Sequence, residues 1–174
     1  DLDGTLVDTK LLNYDAFRLA FNDIDFDLNE KQFDQAFGHD FNSFVSKIIP
    51  HISDELKQTL RDKKNIYFDQ FIDKAILNAS LLNFLQLNKP NMFVALATSA
   101  SRVSAEKLIK YFNMSNLFNM TICSDETKKC KPDPECFNRI MNSAGVSPRE
   151  TLIFEDSKIG ITAAIKSKAN VIKI

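Results

Sequence analysis

Along residues 9–76 the apolar side chains recur at steps of three and four, the period of a helix with one buried face. The pattern predicts four helices: one directly after the opening residues, a short one that Gly38 ends, one that Pro50 stops, and a longer one from Ser53 towards Phe71. No stretch of this block has the pattern of a strand. We therefore predict an all-helical unit over residues 9–76.

Downstream of this unit, short unbroken apolar runs alternate with helical periods. Such runs are typical of strands buried on both faces, and they lie at residues 92–97, 120–123, 151–154 and 171–174. One helix ends before Pro90, and the other helical periods cover residues 101–112, 134–144 and 159–167. Strands that alternate with helices favour a parallel sheet covered on both faces.

The predicted fold is therefore α/β, with two parts. Residues 1–8 and 77–174 form a Rossmann-like core around a parallel sheet, and residues 9–76 form an all-helical cap inserted after the first strand. In such sheets, ligands bind beyond the carboxyl ends of the strands. The residues that follow each apolar run are therefore the candidates for binding or catalysis.

Composition and charge exclude some classes of partner. The 174 residues carry a net charge of −1, so no excess of positive charge favours nucleic acid or an anionic membrane surface. No apolar run approaches the length of a membrane span, and the charged opening residues are not typical of a signal peptide. Cys123, Cys130 and Cys136 fit neither a disulfide framework nor a zinc site, which indicates reduced thiols in a cytoplasmic protein.

The most informative stretch is the opening Asp-Leu-Asp-Gly-Thr-Leu-Val-Asp. If Asp1 ends a strand, Asp1 and Asp3 point to the same face and can both reach one reacting group. Gly4 allows a sharp turn directly after them, and Thr5 adds a hydroxyl near that turn. Such a carboxylate pair can divide the work between a nucleophile and a general acid/base. The alternative is a surface turn with two solvated acids, because Asp-Gly is a common turn pair.

A nucleophile at the first residue is unexpected, because chain ends fray unless they are held. A free α-amino group would also perturb the neighbouring carboxylate. We therefore expect an apolar strand to precede Asp1 and the strand-like residues 170–174 to continue, so that the protein extends beyond both ends of this sequence.

Polar residues also follow the middle apolar runs. Thr98 and Ser99 come directly after the 92–97 run, and their alternative role is to cap the next helix. Lys131 precedes a proline in the loop after the 120–123 run. Lys128 and Lys129 are rival cations there, and a solvated basic loop is the alternative.

Glu155 and Asp156 follow the 151–154 run. Two neighbouring acids repel one another in a dry cleft, and a bound cation relieves that repulsion. The alternative is a helix N-cap at Asp156 beside a solvated Glu155.

The opening stretch resembles the nucleophile motif of the haloacid dehalogenase superfamily, whose members are mostly phosphatases and phosphomutases. The resemblance implies that Asp1 is the nucleophile, which forms an aspartyl-phosphate. It implies that Asp3 protonates the leaving group and afterwards activates water. It further implies that Thr98, the following N–H of Ser99, and Lys131 bind the transferred phosphate.

The same resemblance implies a magnesium site. Its ligands would be the Asp1 side chain, the main-chain carbonyl of Asp3, and Asp156, with Glu155 acting directly or through water. Mg²⁺ prefers oxygen ligands of this kind.

The position of the helical unit resembles the cap of the branch that includes phosphoglycolate phosphatases and β-phosphoglucomutases. Specificity in this branch comes from the cap, and the turn at Gly38 and His39 is the loop expected to contact substrate. The alternative is that His39 is a merely exposed loop histidine. We interpret Lys47 and Arg61 as residues of solvated helix faces.

The function implied is a Mg²⁺-dependent phosphatase acting on small-metabolite phosphomonoesters of the sugar phosphate or phosphoglycolate type. Mutase members carry an arginine a few residues beyond the equivalent of Gly38, and none lies between Gly38 and Lys47. This difference favours hydrolysis over the first alternative, a β-phosphoglucomutase-like sugar phosphate mutase. A catalytically silent relative used for binding is the second alternative. The expected partner is a small phosphorylated metabolite, with no nucleic acid and no membrane, and the oligomeric state is left open.

Overall fold

The structure, a computed structural model, describes residues 1–174. Its first elements are β1 (Val7–Asp8), α1 (Lys10–Asn22), α2 (Glu30–Ala36), α3 (Phe41–Ile48) and α4 (Asp54–Gln70). The later elements are β2 (Ile76–Leu77), α5 (Ala79–Asn88), β3 (Ala95–Ala97), α6 (Arg102–Tyr111), β4 (Met120–Ile122), α7 (Glu135–Ala144), β5 (Leu152–Glu155), α8 (Lys158–Lys166) and β6 (Asn170–Lys173). None of the eight helices is both long enough and apolar enough to span a membrane.

The strands form three pairs. β3 runs parallel to β4 with Leu96 opposite Thr121, and β5 runs parallel to β6 with Phe154 opposite Ile172. β1 and β2 pair antiparallel, at the two points where the chain enters and leaves the helical block. Parallel strands separated by helices confirm the predicted α/β fold class. The ladders are short, however, and the predicted sheet is present as pairs.

One detail of the predicted strands is wrong. β3 begins only at Ala95, because Met92 and Phe93 are 55% and 44% exposed and do not lie in a buried strand. Asp1 precedes the first strand of the structure, and its backbone nitrogen donates to the Phe154 carbonyl oxygen at 2.9 Å.

Short polar side chains fix where three helices of the helical block begin. The Asn29 Oδ1 atom accepts a hydrogen bond from the Gln32 N–H at 3.0 Å at the start of α2. Asp40 accepts from two N–H groups at the start of α3, and Ser53 accepts from one at the start of α4. Each cap satisfies N–H groups that the first helical turn leaves without partners.

A cluster of aromatic rings holds the helical block together. The Phe17 ring of α1 stacks on the Phe44 ring of α3 at a centroid distance of 4.1 Å, and Phe33 of α2 lies edge-on to Phe44 at 5.7 Å. Leu60 of α4 is fully buried in the same cluster. Burying an apolar side chain of this size contributes about 1.5–3 kcal/mol, so this interior is a core of its own.

Two further apolar clusters lie beneath the strands. Leu6, Leu96 and Leu108 belong to one, and Ile122 and Ile153 to the other. Together they cover both faces of β3, which explains why its residues are apolar without alternation.

The helical period of residues 101–112 predicts that Val103 and Leu108 lie on the buried side of α6. Leu108 is buried, but Val103 is 48% exposed, and Ser104 faces inward in its place. The Ser104 hydroxyl accepts a hydrogen bond from Nζ of Lys64 on α4 at 3.3 Å. This polar contact between α4 and α6 sets the inward face of α6.

Candidate active site

The opening residues form a tight turn that presents two carboxylates. The N–H groups of Leu6 and Val7 both donate to the Leu2 carbonyl oxygen, at 3.0 and 2.9 Å. Gly4 has φ +82°, and a Cβ atom there would lie 2.2 Å from the Asp156 Oδ2 atom. Only glycine fits this backbone and this contact. The turn therefore brings the start of the chain against Asp156.

Lys131 lies at the centre of the site. Its Nζ atom donates to Asp1 Oδ1 at 2.9 Å and to the Ala97 carbonyl oxygen at 3.0 Å, and it also pairs with the Glu155 carboxylate. Lys131 is 6% exposed and Glu155 is fully buried. Buried charges are tolerated only when they are paired and hydrogen-bonded, as they are here.

The rival lysines do not reach the site. Lys128 and Lys129 are exposed, and their backbone N–H groups donate to the Glu135 carboxylate at 3.0 and 2.9 Å. Of the basic residues in this loop, only Lys131 contacts Asp1.

Asp3 is held on both carboxylate oxygens. The Thr9 hydroxyl donates to Oδ1 at 2.5 Å, and the Thr98 hydroxyl donates to Oδ2 at 3.3 Å. The Asn13 amide lies 3.4 Å from Oδ1. Thr9, Thr98 and Asn13 are all buried, so these contacts fix the direction of the Asp3 side chain.

Thr98 and Ser99 are not the cap of α6. That position is taken by Ser101, whose hydroxyl accepts from the Ser104 N–H at 3.3 Å. Thr98 instead contacts Asp3, and Ser99 lines the same cavity as Asp1 and Asp3. The capping alternative is therefore excluded for both residues.

Three acids meet beside Lys131. One carboxylate oxygen each of Asp1, Glu155 and Asp156 lies within 4.8 Å of the others. Thr5 donates to Asp156 Oδ1 at 2.8 Å. Burial raises the pKa of Asp156, against the opposing effect of the Thr5 hydrogen bond. The N-cap of α8 is Ser157, so the alternative N-cap role of Asp156 is wrong.

The donors of this group suit a hard divalent cation. Carboxylate oxygens are the ligands that Mg²⁺ prefers, and a cation relieves the repulsion between three close acids. The residues therefore fit the ion. The Asp3 carboxylate is not part of this group.

A cavity lies between the carboxylates and the helical block. Asp1, Asp3 and Ser99 line one side. Gly38 and His39 line the other side, and a Cβ atom on Gly38 would lie 3.5 Å from the Ser157 Cβ atom. Burial lowers the pKa of His39, and the charge of Lys47 lowers it further. His39 is therefore a half-buried group of the cavity.

Two further cations line the cavity and were missed by sequence reasoning. Arg61 was assigned to a solvated helix face but lies in the cavity wall, and Lys64 lies beside it. Lys64 is 7% exposed, and burial lowers its pKa from 10.5 to about 8. The signal for Lys64 was present in the sequence, because Leu60, Lys64 and Phe68 recur at four-residue steps on the buried face of α4.

Fold and cavity together define an α/β enzyme whose acids and one lysine meet at the carboxyl ends of parallel strands. The profile of the haloacid dehalogenase-like hydrolase family matches residues 1–174, and the chain belongs to this family. The resemblance noted in the opening stretch, and the enzyme class that it implied, are thereby confirmed.

Individual relatives have low sequence identity to this chain, but the similarity covers most of it. A phosphorylated carbohydrates phosphatase of Thermotoga maritima is 25% identical over 169 residues, which cover 94% of this chain and 77% of that protein. Pyrophosphatase PpaX of Halalkalibacterium halodurans is 23% identical over 158 residues, covering 90% and 73%. The crystal structure of CbbY from Rhodobacter sphaeroides in complex with phosphate has a TM-score of 0.90 and 20% identity, covering 99% of this chain and 83% of that one.

Proposed function

We propose that the protein is a magnesium-dependent phosphatase that hydrolyses phosphomonoesters of small metabolites through an aspartyl-phosphate at Asp1. The observation that carries the proposal is the contact of Lys131 with Asp1 at 2.9 Å beside two more acids. Phosphoryl transfer requires a positioned nucleophile and neutralisation of charge on the transferred oxygens, and this arrangement provides both. The names of the relatives, phosphatases of phosphorylated small molecules, support the same reaction class.

In the first step an Asp1 oxygen attacks phosphorus, a new O–P bond forms, and the bond to the leaving oxygen breaks. Asp3 gives its proton to that leaving oxygen, so the substrate alcohol departs neutral. In the second step Asp3 takes a proton from water, which attacks the phosphorus of the aspartyl-phosphate. Inorganic phosphate leaves and the Asp1 carboxylate is restored.

The structure suits Asp3 to this double role. Its carboxylate is oriented by hydroxyls from Thr9 and Thr98 rather than by a cation. It can therefore exchange a proton without breaking an ion pair. Asp1, in contrast, is paired with the Lys131 ammonium, which fixes the position of the proposed nucleophile.

Lys131 and Ser99 are proposed to bind the transferred phosphate, together with the Thr98 hydroxyl. Asp1, Glu155 and Asp156 would hold Mg²⁺, which supplies neutralisation of the negative charge on the phosphoryl group.

Residues 9–76 are proposed to act as a cap that closes the cavity and selects the substrate. Gly38 and His39 would contact the part of the substrate remote from the reacting phosphorus. Three free cysteines support a cytoplasmic location, because reduced thiols are usual there.

The mutase alternative also has an observation in its favour. A mutase must hold a second phosphate, and Arg61 and Lys64 supply cations on the cap side that the sequence had not indicated. The two functions differ in one measurable requirement, since a mutase needs a bisphosphate activator and a phosphatase does not.

The test is phosphate release from p-nitrophenyl phosphate and from a panel of phosphorylated sugars and phosphoglycolate. We expect release with Mg²⁺, loss of release after chelation, and a fall of at least about three orders of magnitude in Asp1→Asn. The matched control is Asp8→Asn, because Asp8 is exposed and only caps the Lys10 N–H. Equal activity of Asp1→Asn and the control would contradict the proposal, and inactivity towards every ester would favour a binding role.

A further inference from the structure

Arg61 on α4 is held in place without a carboxylate partner. Its guanidinium carbon lies 4.1 Å from the centroid of the Phe41 ring, and one terminal nitrogen donates to Asn42 Oδ1 at 2.9 Å. Arg61 takes part in none of the salt bridges of the molecule. Both contacts come from the start of α3, and Phe41 lines the same cavity as Arg61.

These contacts orient the guanidinium but use little of its binding capacity. A guanidinium has five N–H donors in a planar fork, and the Asn42 contact uses one nitrogen. Stacking on Phe41 uses a face of the plane and leaves its edge open. An arginine arranged in this way loses little freedom when it binds an anion with two parallel hydrogen bonds.

The distribution of charge in the cavity supports an anion at this wall. The only acids that line the cavity are Asp1 and Asp3, at the reacting end. The cap wall contributes Arg61 and Lys64 and no acid. Lys64 is 7% exposed, and its ammonium is already engaged by the Ser104 hydroxyl at 3.3 Å and the Phe68 ring at 4.3 Å. Arg61 therefore remains as the cation available to the remote end of a ligand.

We propose that Arg61 binds a second anionic group of the substrate, a carboxylate or a second phosphate, at the end remote from the reacting phosphorus. The inference rests on the proposed function, because it takes Asp1 to mark the reacting end. It narrows the substrate class to small phosphomonoesters with two anionic ends. Phosphomonoesters whose remote end is uncharged would bind without this contact.

The test compares three esters of similar size: phosphoglycolate, 2-hydroxyethyl phosphate and the bisphosphate of ethane-1,2-diol. They carry a carboxylate, a neutral hydroxyl and a phosphate at the remote end. In Arg61→Gln we expect KM to rise about 10- to 100-fold for the preferred ester with an anionic remote end. This is the effect of losing a hydrogen bond to a charged group. We expect little change in KM for 2-hydroxyethyl phosphate, whose remote end is uncharged. Of the two esters with an anionic remote end, the one that is affected more identifies the natural anion.

Two variants serve as controls. Arg61→Lys keeps the charge but not the planar fork, so it should recover part of the affinity. Lys57→Gln removes one charge from the same helix, at a side chain that pairs only with the exposed Asp54 and does not line the cavity. It should leave all three esters unchanged.

Binding measured without turnover separates this inference from the proposed function. Titration calorimetry in an Asp1→Asn background gives dissociation constants for the three esters with and without Arg61→Gln. A loss of affinity confined to an ester with an anionic remote end supports the role of Arg61 even if the wild-type protein releases no phosphate. Equal weakening of all three esters, or no weakening of any, would overturn it.

Discussion

The two ends of the cavity differ in how their charges are balanced. At the reacting end, Lys131 contacts Asp1 and Glu155, and each buried charge has a partner within the protein. At the cap end, Arg61 and Lys64 contact aromatic rings and polar side chains but no carboxylate. The buried lysine of the reacting end therefore has anionic partners within the protein, whereas the two cations of the cap end have none.

Under the proposed function, the reacting end serves chemistry and the cap end serves selection. A buried ion pair fixes geometry, because moving either partner leaves a charge without compensation. A cation without an anion is costly to bury, and a ligand that supplies the anion recovers that cost on binding. Variants at the two ends should therefore change stability in opposite directions.

The largest effect is expected for Lys131→Met. It leaves the fully buried Glu155 carboxylate without its cation, which should lower the free energy of unfolding by about 3–5 kcal/mol. Phosphatase activity should be lost as well, because Asp1 loses the same cation. Urea unfolding and phosphate release measure the two effects. Lys129→Met is the control, because Lys129 is exposed, and an unchanged unfolding free energy in Lys131→Met would contradict the pairing.

Lys64→Met should change the free energy of unfolding in the opposite direction. Burial lowers the pKa of Lys64 to about 8 from 10.5, so between these values the unfolded chain binds more protons than the folded protein. The free energy of unfolding of the wild type should therefore rise as pH increases through this window, by as much as about 3 kcal/mol. At neutral pH the penalty is fully present, and Lys64→Met should stabilise the protein and lose this rise.

The neighbouring residue supplies the control for that experiment. Lys63 is solvated and pairs with Asp23 at 3.0 Å, so Lys63→Met should leave the pH dependence of unfolding unchanged. Urea unfolding at several pH values from neutral to alkaline measures both variants. A Lys64→Met variant that is less stable than the wild type at neutral pH would show that the Lys64 charge is compensated within the protein, as the Lys131 charge is.

Gly160→Ala should have a smaller effect, confined to the reacting end. A Cβ atom at Gly160 would lie 2.0 Å from the Glu155 Oε1 atom, so the glutamate must move away from Lys131. We expect a loss of about 1–3 kcal/mol in unfolding free energy, with reduced activity. Gly145→Ala is the control: Gly145 has φ +68° but nothing within 4 Å, so it should cost stability through backbone strain alone and leave activity intact.

Much of the reacting end could be predicted from the sequence, because Thr98, Lys131 and Asp156 follow apolar runs and the carboxyl ends of parallel strands bring such residues together. Asp3 was indicated by its spacing from Asp1 and by the family resemblance of the opening stretch. The cap wall could not be predicted in the same way. Arg61 reaches the cavity only because α4 packs against the start of α3, a contact between helices that periodicity does not encode.

The start of β3 and the face that α6 buries could also not be predicted from the sequence. The 92–97 run is apolar throughout, yet its first two residues are exposed, since apolar character alone does not create a neighbouring strand. Val103 faces solvent because α6 turns Ser104 towards Lys64. In each case a tertiary contact decided what the local pattern left open.

The most direct test of the account is to trap the covalent intermediate in Asp3→Asn with p-nitrophenyl phosphate. Nitrophenolate leaves without a proton, so phosphorylation of Asp1 should proceed, while hydrolysis should stall without Asp3 to activate water. We predict a burst of one nitrophenolate per protein and, by mass spectrometry of the acid-quenched protein, a phosphoryl group on Asp1. A phosphoryl group on another residue, or steady turnover with no burst and no modified Asp1, would contradict the central claim.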